Sequence, residues 1–446
     1  MSTIFRMRPD EELTLDKLSD FISEAKAANG KRFQKLKAAY RSKYAILTQK
    51  SKPNYKPDNR LVVNFGKYIV DTFNGFFIGN PIKTTADDRK VSQLVELIES
   101  YNDQDDNNAE LAKLTSIYGR AYEMYFVDDD GNIGITYLDP MQAFMIYDDG
   151  ILEKPLFFVH WYMDSDDVER GSVSDGERVF YFSRDHGNYR WTGEERIHGF
   201  KGVPATEFIE NDERVGIFEP CMTLIDAYNK ALSEKANDVD YFADAYMKIL
   251  GSKMDAEDKL DLRNQRIINL ESPPDTNLVV EFMEKPSADG TQENLLNKIE
   301  RLIYQISMVP NINDEKFGTS SGIAMQYKLL NTSNLFKAKQ RKFESGMNRR
   351  WKIIFSNALL HSQVSPDDWA LLRYRFTPNV PANALEEAQT AAQLSGIVSR
   401  RTQLETLSLV NNVDQELERI EEEERVDLIT FDSHSGEEAD DEEING

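Results

Sequence analysis

Acidic side chains are the first candidates for chemistry in this sequence. Asp128, Asp130 and Asn132 have the spacing of a calcium-binding loop, and Asp139 falls at the twelfth position of that loop. Ile133, however, stands where the loop needs glycine for its sharp bend, and strand-like segments rather than helices flank the motif. The pattern therefore favours an ordinary hairpin turn over a calcium site.

A second acidic pattern hints at a metal-dependent nuclease. Asp275 follows Pro274, and Glu281 comes a few residues later. The lysine that such a motif needs two positions after Glu281 is replaced by Met283. A plain strand is the favoured interpretation, and a nuclease or other phosphodiesterase that uses the Asp-rich turns stays open as the enzymatic alternative.

Other catalytic arrangements are missing from the sequence. It contains no Gly-x4-Gly-Lys-Ser/Thr phosphate-binding loop, and its five histidines are scattered. The single cysteine, Cys221, excludes both an intramolecular disulfide and a cysteine-based zinc cage. We therefore predict a protein that is not an enzyme, with no catalytic residue, no bound metal and no cofactor.

One basic cluster lies within a long predicted helix, where only Glu344 opposes it locally. Its positions wrap around the helix instead of forming one stripe. A solvated or inter-subunit face that pairs with acidic residues elsewhere is therefore favoured over a DNA-binding helix. The cluster consists of Lys337, Lys339, Arg341, Lys342, Arg349, Arg350 and Lys352.

Composition and charge limit the class of protein. The 446 residues include 53 Lys and Arg against 77 Asp and Glu, which gives a formal net charge of −24. Hydrophobic residues make up 40%, which is enough for a packed core. Such an acidic composition argues against a protein that clamps a nucleic-acid backbone by bulk charge, but not against one that must let nucleic acid slide past. We expect neither secretion nor membrane insertion, because no apolar stretch approaches the ~18–20 residues that span a bilayer.

The negative charge is concentrated near the C-terminus. Residues 414–446 contain 15 acidic and two basic residues, and few apolar ones. We therefore predict an acidic disordered tail over residues 425–446.

Apolar spacing assigns the elements that must position any functional residue. Helical spacing covers residues 10–50, 62–77, 91–101 and 109–118. Short aromatic-rich segments separated by Asp/Gly turns then predict an antiparallel meander. Its strands are predicted at residues 121–127, 134–137, 144–147, 155–163, 178–183 and 189–191.

The second half is dominated by long helices. One amphipathic helix is predicted over residues 218–250 and another over 293–308, and a third runs from about 322 to 360. A short insert with two strand-like runs separates the first two helices. A strand at 371–376 and short C-terminal helices follow. The predicted class is α+β, mainly helical.

Several sequence blocks resemble the portal (head–tail connector) proteins of tailed bacteriophages, of the siphophage type. The first block is DNRLVVNFGKYIVDTFNGFFIGNPI at residues 58–82, and the second is GRAYE at 119–123. The others are SSGIAM at 320–325 with KLL at 328–330, RKFE at 341–344 and GIVS at 396–399. The resemblance extends over residues 10–425 in the same order of elements.

This resemblance implies a portal fold that assembles into a ring of about 12 subunits. The wing would comprise residues 10–217, with a strand and link at 363–381. Stem helices would occupy 218–250 and 293–308, separated by a small αβ clip at 251–292. A tunnel loop at 309–320 would lead into a long helix at 321–362. A helical crown would cover 382–424, before the acidic tail.

The resemblance also implies functional segments. The part of the tunnel loop that faces DNA would be Asn311, Ile312, Asn313, Asp314, Glu315, Lys316, Phe317 and Gly318. Partners would dock on the clip through Asp255, Asp258, Arg263, Arg266, Glu271, Asp275 and Glu281.

The implied function is a channel at one capsid vertex for packaging and ejection of viral double-stranded DNA, which passes non-specifically. Implied partners are the terminase large subunit, a head-completion adaptor, and capsid and scaffolding proteins, but no membrane. The protein would reside in the virion and, during assembly, in the host cytoplasm. A structural adaptor of the virion without a channel is the non-enzymatic alternative.

Overall fold

The computed structural model describes residues 3–53, 56–185, 187–243, 247–250, 279–282, 289–312, 322–380, 384–407, 409–410 and 413–435. Contacts divide the chain into two units, Met1–Asn379 and Val380–Gly446. Both helices and sheets are present, so the predicted α+β class is confirmed.

The N-terminal helices lie where the apolar spacing predicts them. Each of three helices begins where the side chain of Thr14, Asn64 or Asp88 accepts a hydrogen bond from a backbone N–H of the first turn. Their apolar faces are buried, which explains why the spacing of apolar residues was enough to predict the helices. The helices are α1 (Leu15–Glu24), α2 (Gly30–Tyr40), α3 (Phe65–Ile78), α4 (Arg89–Tyr101) and α5 (Gln104–Tyr118), with a π-helical turn at Ala25–Asn29.

The β-rich block forms two sheets, so the prediction of a single meander is wrong. In the six-stranded sheet, of order β1-β5-β6-β7-β8-β9, the first strand is parallel to its neighbour and the others form a meander. In the three-stranded sheet, of order β10-β3-β4, a late strand returns to pair with an early one. The strands are β1 (Phe5–Met7), β2 (Lys83–Thr85), β3 (Arg120–Val127), β4 (Ile133–Leu138), β5 (Ala143–Asp148), β6 (Pro155–Met163), β7 (Glu169–Ser174), β8 (Arg178–Asp185), β9 (Asn188–Ile197) and β10 (Ala205–Ile209).

The prediction of one helix over residues 218–250 is also wrong. Helix α6 spans Met222–Ala243, after a 3-10 turn at Glu219–Cys221. Strand β11 (Met247–Leu250) then pairs antiparallel with β12 (Val279–Phe282). Tyr246 and Ile249 fit a helical spacing as a sequence, but the partner strand decides how residues 247–250 fold.

Two further helices follow the β11–β12 ribbon. Helix α7 covers Asp289–Ser307 and helix α8 covers Gly322–Phe355. Helix α8 ends before residue 360, because Ala358–Leu360 form a separate 3-10 turn that Asn357 caps. The strand predicted at 371–376 is β13 (Arg373–Arg375), and it pairs antiparallel with β2.

The main core lies among the helices of the first unit. Aromatic side chains of α3 and α8 meet there, with Phe77 in contact with both Phe336 and Phe343. Ile225 of α6 and Ile303 of α7 are buried in the same core cluster. A smaller cluster around Tyr122 and Phe158 lies between the two sheets.

The second unit contains three helices in its described residues: α9 (Ala384–Gln393), α10 (Arg400–Glu405) and α11 (Val413–Ser435). An ion pair between Arg400 and Glu424 joins α10 to α11 at 2.6 Å. Because α11 continues to Ser435, the prediction of a disordered tail is wrong for residues 425–435. Residues 436–446 lie outside the described residues.

Candidate functional site

Helices α6 and α7 form an antiparallel pair. The Cys221 thiol, just before α6, lies 3.6 Å from the carbonyl oxygen of Ile303 near the end of α7. Toward the other end, the Gln292 amide donates to Asp238 at 2.9 Å, and Lys235 of α6 pairs with Glu293 of α7. At ~1.5 Å per residue the two rods are roughly 33 and 28 Å long.

The β11–β12 ribbon lies between these helices in the chain and holds one predicted clip residue. Glu281 belongs to β12 and stands opposite Lys248 of β11. Residue 281 therefore lies in a strand, and the sequence analysis favoured a strand over a nuclease motif at this position. The other predicted clip residues lie outside the described residues: Asp255, Asp258, Arg263, Arg266, Glu271 and Asp275.

The predicted tunnel loop begins at an anchor on helix α3. The Tyr68 hydroxyl donates to the carbonyl oxygen of Pro310 at 3.1 Å and accepts the backbone N–H of Ile312 at 2.9 Å. Its ring packs edge-on against Tyr304 of α7 at 5.7 Å. Burial raises the pKa of Tyr304, whose ring also contacts Phe65. A residue of the first signature block thus fixes where the loop begins.

Helix α7 ends sharply at this anchor. Met308 adopts a left-handed conformation with φ of 60°, and its carbonyl oxygen accepts the Thr332 hydroxyl of α8 at 2.8 Å. Val309 is buried, whereas the side chain of Ile312 is half exposed. The Asn311 amide lies 3.5 Å from Glu300. The other predicted loop residues, Asn313, Asp314, Glu315, Lys316, Phe317 and Gly318, lie outside the described residues.

A polar ladder joins α6 to the extended segment 59–63, which precedes α3. The side-chain oxygens of Asn237, Ser233 and Asn229 accept the backbone N–H groups of residues 59, 61 and 63 at 2.6, 2.9 and 2.8 Å. Two extended residues advance about 6.6 Å and four helical residues about 6 Å, so alternate amides match every fourth helical residue. These three buried side chains were missed in the sequence, although their spacing of four was visible.

Two members of the basic cluster are buried in ion pairs. The Lys339 ammonium donates to Glu210 at 2.7 Å and to the carbonyl oxygen of Ala112 at 2.8 Å. Arg350 donates to both carboxylate oxygens of Glu123 at 2.7 and 2.8 Å. Burial lowers the pKa of Lys339, and the neighbouring carboxylate opposes that shift.

For the residues that form them, these pairs correct the interpretation of the cluster as a solvated or inter-subunit face. Lys339 and Arg350 are almost completely buried within the chain, and Arg349 donates to backbone carbonyl groups near β10. Lys342 pairs with Asp212, again within the chain. Lys339, Lys342, Arg349 and Arg350 therefore fix α8 to the sheet and to α5, and the burial of Lys339 and Arg350 excludes these two from a DNA-binding face. The other three members of the cluster, Lys337, Arg341 and Lys352, are exposed.

A third buried cluster lies on β3 and β10. Arg214 donates to both carboxylate oxygens of Glu207 at 2.9 Å, and Arg120 approaches the same carboxylate at 3.3 Å. Burial alone would raise the pKa of Glu207, but the two guanidinium groups outweigh it and hold the pKa below its usual value. Gly119, with φ of 84°, lies so close to Arg214 that a Cβ there would be 2.1 Å from its carbonyl oxygen.

In the acidic turn between β3 and β4, a carboxylate binds backbone N–H groups of the turn itself. Asp128 accepts the backbone N–H groups of Asp130 and Asn132 at 3.0 and 2.8 Å, so the predicted hairpin turn is confirmed. Within the described part of the chain, no group of three or more His, Cys, Asp or Glu side chains is placed to hold a metal ion. No helix among the same residues is long and apolar enough to cross a membrane.

Comparison with known proteins supplies the biological context for this architecture. The family model described as phage portal protein, SPP1 Gp6-like, matches residues 19–427. The portal protein of Bacillus phage SPP1 is 24% identical over 410 residues, which cover 86% of this chain and 80% of the relative. The portal protein of Clostridium phage phiCD119 is 23% identical over 442 residues, which cover 90% of this chain and 94% of the relative.

Proposed function

Because the chain belongs to the SPP1 Gp6-like family of phage portal proteins, we propose that it forms a ring of about 12 subunits around a DNA channel. The ring would occupy one vertex of the capsid, where viral double-stranded DNA enters during packaging and leaves during ejection. The role is structural rather than enzymatic, and it requires no cofactor. The ring assembles in the host cytoplasm and remains in the virion.

The α6–α7 hairpin is the observation that carries this proposal. Two antiparallel rods joined through the β11–β12 ribbon have the order of elements expected for a stem with a clip. Helix α7 buries Leu296, Ile299 and Ile303, yet Leu295 and Ile306, at the edge of the same apolar face, remain about half exposed. An apolar face that the chain itself covers only in part leaves room for a further partner, and neighbouring subunits of a ring supply one.

The proposed channel lets DNA pass without gripping it. A ring of chains that each carry −24 is strongly negative as a whole, so DNA meets little bulk attraction to the wall. Within this scheme, the loop residues 311–318 reach toward the DNA from the Tyr68 anchor, and Lys316 makes transient phosphate contacts. The clip, including Glu281, docks the terminase large subunit and later the head-completion adaptor, and the wing contacts capsid and scaffolding proteins.

Imaging and sedimentation test the ring directly. Negative-stain images of the purified full chain should show rings with a central hole, and sedimentation should give a species about a dozen times the mass of the 51.3 kDa chain. If the protein remained a compact monomer at every salt and protein concentration, this result would contradict the proposal. Divalent-metal-dependent cleavage of DNA by the purified protein would instead favour the nuclease alternative.

Loop replacement tests the channel. Residues 313–317 are exchanged for a Gly/Ser linker, and the Tyr68 anchor at Pro310 and Ile312 is left intact. We expect normal rings, because the hydrophobic core is unchanged. We also expect a severe loss of nuclease-protected DNA in assembled heads, because the side chains proposed to contact DNA have been removed. Tyr68→Phe is the matched variant: it removes the anchor, keeps the loop, and should reduce packaging less. Normal packaging by the linker variant would contradict the proposed role.

A further inference from the structure

A buried polar cluster surrounds Arg350 where α5, β3 and α8 meet. Arg350 Nη2 donates to Asn108 Oδ1 at 2.7 Å and to Glu123 Oε1 at 2.8 Å. The amide nitrogen of Gln104 donates to the same two oxygens at 3.2 and 3.3 Å. All four side chains are buried. Because they share both acceptors, the guanidinium and the amide lie side by side. We call these four residues the polar junction.

Two complementary atoms of the polar junction have no hydrogen-bond partner among the described residues. Arg350 Nη1 is a donor and Gln104 Oε1 is an acceptor, and both are buried. The opposite orientation of the Gln104 amide would bring its oxygen against two other acceptors, so the orientation that leaves Oε1 unpaired is the favourable one. Buried polar atoms are nearly always hydrogen-bonded to protein or to ordered water. A donor and an acceptor on adjacent groups suit a bridging water molecule.

Tyr374 of β13 supplies a third polar group beside Arg350. Its hydroxyl is buried and likewise has no hydrogen bond within the described part of the chain. Burial raises the pKa of Tyr374, and the positive charge of Arg350 opposes that shift, so the two groups lie in one electrostatic environment. A hydroxyl both donates and accepts, and it can therefore share the water that bridges Arg350 and Gln104.

The charge balance of the polar junction favours a neutral ligand over an ion. Arg350 and Glu123 form a one-to-one ion pair at 2.7 Å. Burial raises the pKa of nearby Glu99 to about 7, so its carboxyl group is largely protonated below neutral pH. Asp105 is exposed and Glu344 is partly exposed, and solvent screens both charges. Water donates as well as accepts and carries no charge, so it fits the unpaired atoms better than an anion or a cation does.

We propose that the polar junction is a binding site for ordered water, which accepts a hydrogen bond from Arg350 Nη1 and donates one to Gln104 Oε1, with the Tyr374 hydroxyl as its third partner. Three partners are the usual number for a buried water molecule. The water links β13 to α5 and α8, and so completes the attachment of the long helix that the Arg350–Glu123 pair begins. The inference concerns the single chain and does not depend on the proposed ring.

A crystal structure of the full chain, at a resolution that shows ordered water, tests the site directly. We expect a water oxygen at about 2.7–3.2 Å from both Arg350 Nη1 and Gln104 Oε1. Crystals soaked in bromide should show no anomalous signal at this position, because the site is neutral. A direct hydrogen bond between Arg350 and Gln104, a dry junction, or a bromide ion in the site would each overturn the proposal.

Tyr374→Phe distinguishes a hydroxyl bound to water from one that is merely buried. If the hydroxyl binds water, its loss should lower the thermal midpoint by about 2 °C. If it has no partner, its loss removes a buried unpaired group and should raise the midpoint instead. Tyr162→Phe is the matched control, because Tyr162 is also a strand residue but is 45% exposed, and it should leave the midpoint unchanged. An unchanged or higher midpoint in Tyr374→Phe would overturn the proposal.

A double variant tests whether Gln104 and Tyr374 share the water. Gln104→Ala and Tyr374→Phe each remove one partner of the same bridging molecule, so their effects should be coupled. We expect the double variant to lower the thermal midpoint by less than the sum of the two single losses, because the second substitution acts on a site that the first has already disrupted. Circular dichroism at one protein concentration measures all four midpoints. Strictly additive losses would overturn the shared water.

Discussion

Lys339 and Arg350 show how single residues decide where the long helix lies. Each is buried because a carboxylate from a distant part of the chain, Glu210 or Glu123, pairs with it. Removal of one partner from such a buried pair costs about 3–5 kcal/mol, since the other charge is left without compensation. Helix α8 is therefore held in one position on the sheet and on α5.

Glu99 of α4 gives a residue-scale prediction about pH. Burial raises the pKa of its carboxyl group to about 7, with Thr84 as its hydrogen-bond donor at 2.8 Å and the Arg350 charge opposing the shift. Between the ordinary pKa of 4.5 and about 7, the folded protein keeps a proton that the unfolded chain has lost. Folding stability is thus highest below pH 4.5 as far as this group is concerned, and it falls as the pH rises toward 7.

Glu99→Gln removes this dependence. At about pH 8 the variant should be more stable than the unchanged protein, by on the order of 3 kcal/mol at ~1.4 kcal/mol per pKa unit. Near pH 4.5 the two should unfold almost alike, because glutamine resembles the protonated carboxyl group. Thermal unfolding followed by circular dichroism at both pH values measures the difference. Gln93→Ala, at an exposed position of the same helix, is the control and should leave the pH dependence unchanged, and equal curves for Glu99→Gln and the unchanged protein would contradict the prediction.

At the scale of elements, the polar ladder on α6 couples the α6–α7 hairpin to the N-terminal region. An extended segment usually satisfies its amides in a sheet, but residues 59, 61 and 63 use side chains of a helix. The match arises because the advance of two extended residues nearly equals that of four helical ones. The first signature block runs through this segment and on to Tyr68, so it joins the ladder to the loop anchor.

Asn229→Ala tests the ladder. It leaves the partly buried N–H of Val63 without its acceptor, and since a fully buried unsatisfied donor costs about 1–3 kcal/mol, we expect a loss near the lower end of that range. We expect a lower thermal midpoint and faster hydrogen exchange in the peptide around residues 59–63. Thr223→Ala, on the exposed face of α6, is the control and should change neither. Unchanged exchange at residues 59–63 in Asn229→Ala would show that the ladder contributes nothing to local stability.

On the scale of the whole molecule, charge is distributed unevenly. Lys339 and Arg350 of α8 are paired inside the chain, and the acidic excess is concentrated after residue 413. Helix α11 carries the first part of this acidic segment and pairs with α10 through Arg400 and Glu424. The last eleven residues have only Ala439 and Ile444 as apolar side chains.

Two truncations distinguish these parts. Deletion of residues 436–446 should leave folding and ring formation unchanged, because so few apolar groups are removed. Deletion of residues 413–446 also removes α11 and its contact with α10, and it should lower the thermal midpoint of the second unit. Circular dichroism and sedimentation measure both. Loss of rings in the shorter deletion would show that the final residues are structural.

The sequence by itself determined the features that depend on near neighbours. The apolar faces of α1 to α5 and the Asp128 hairpin turn follow from spacing within a few residues. The family resemblance could also be recognised from short contiguous blocks of sequence, and the match of the family model to residues 19–427 confirms it. Local periodicity and capping need no knowledge of the rest of the chain.

The tertiary structure decided whatever depends on partners far along the chain. β10, which apolar spacing did not predict, pairs with β3, and residues 247–250 become a strand because β12 lies beside them. The sequence pattern of Lys339 and Arg350 is that of solvated residues. Both are nevertheless buried, because each forms an ion pair with a carboxylate more than a hundred positions away in the chain. A buried charge is stable only beside its partner, and the sequence pattern does not reveal which distant carboxylate that is.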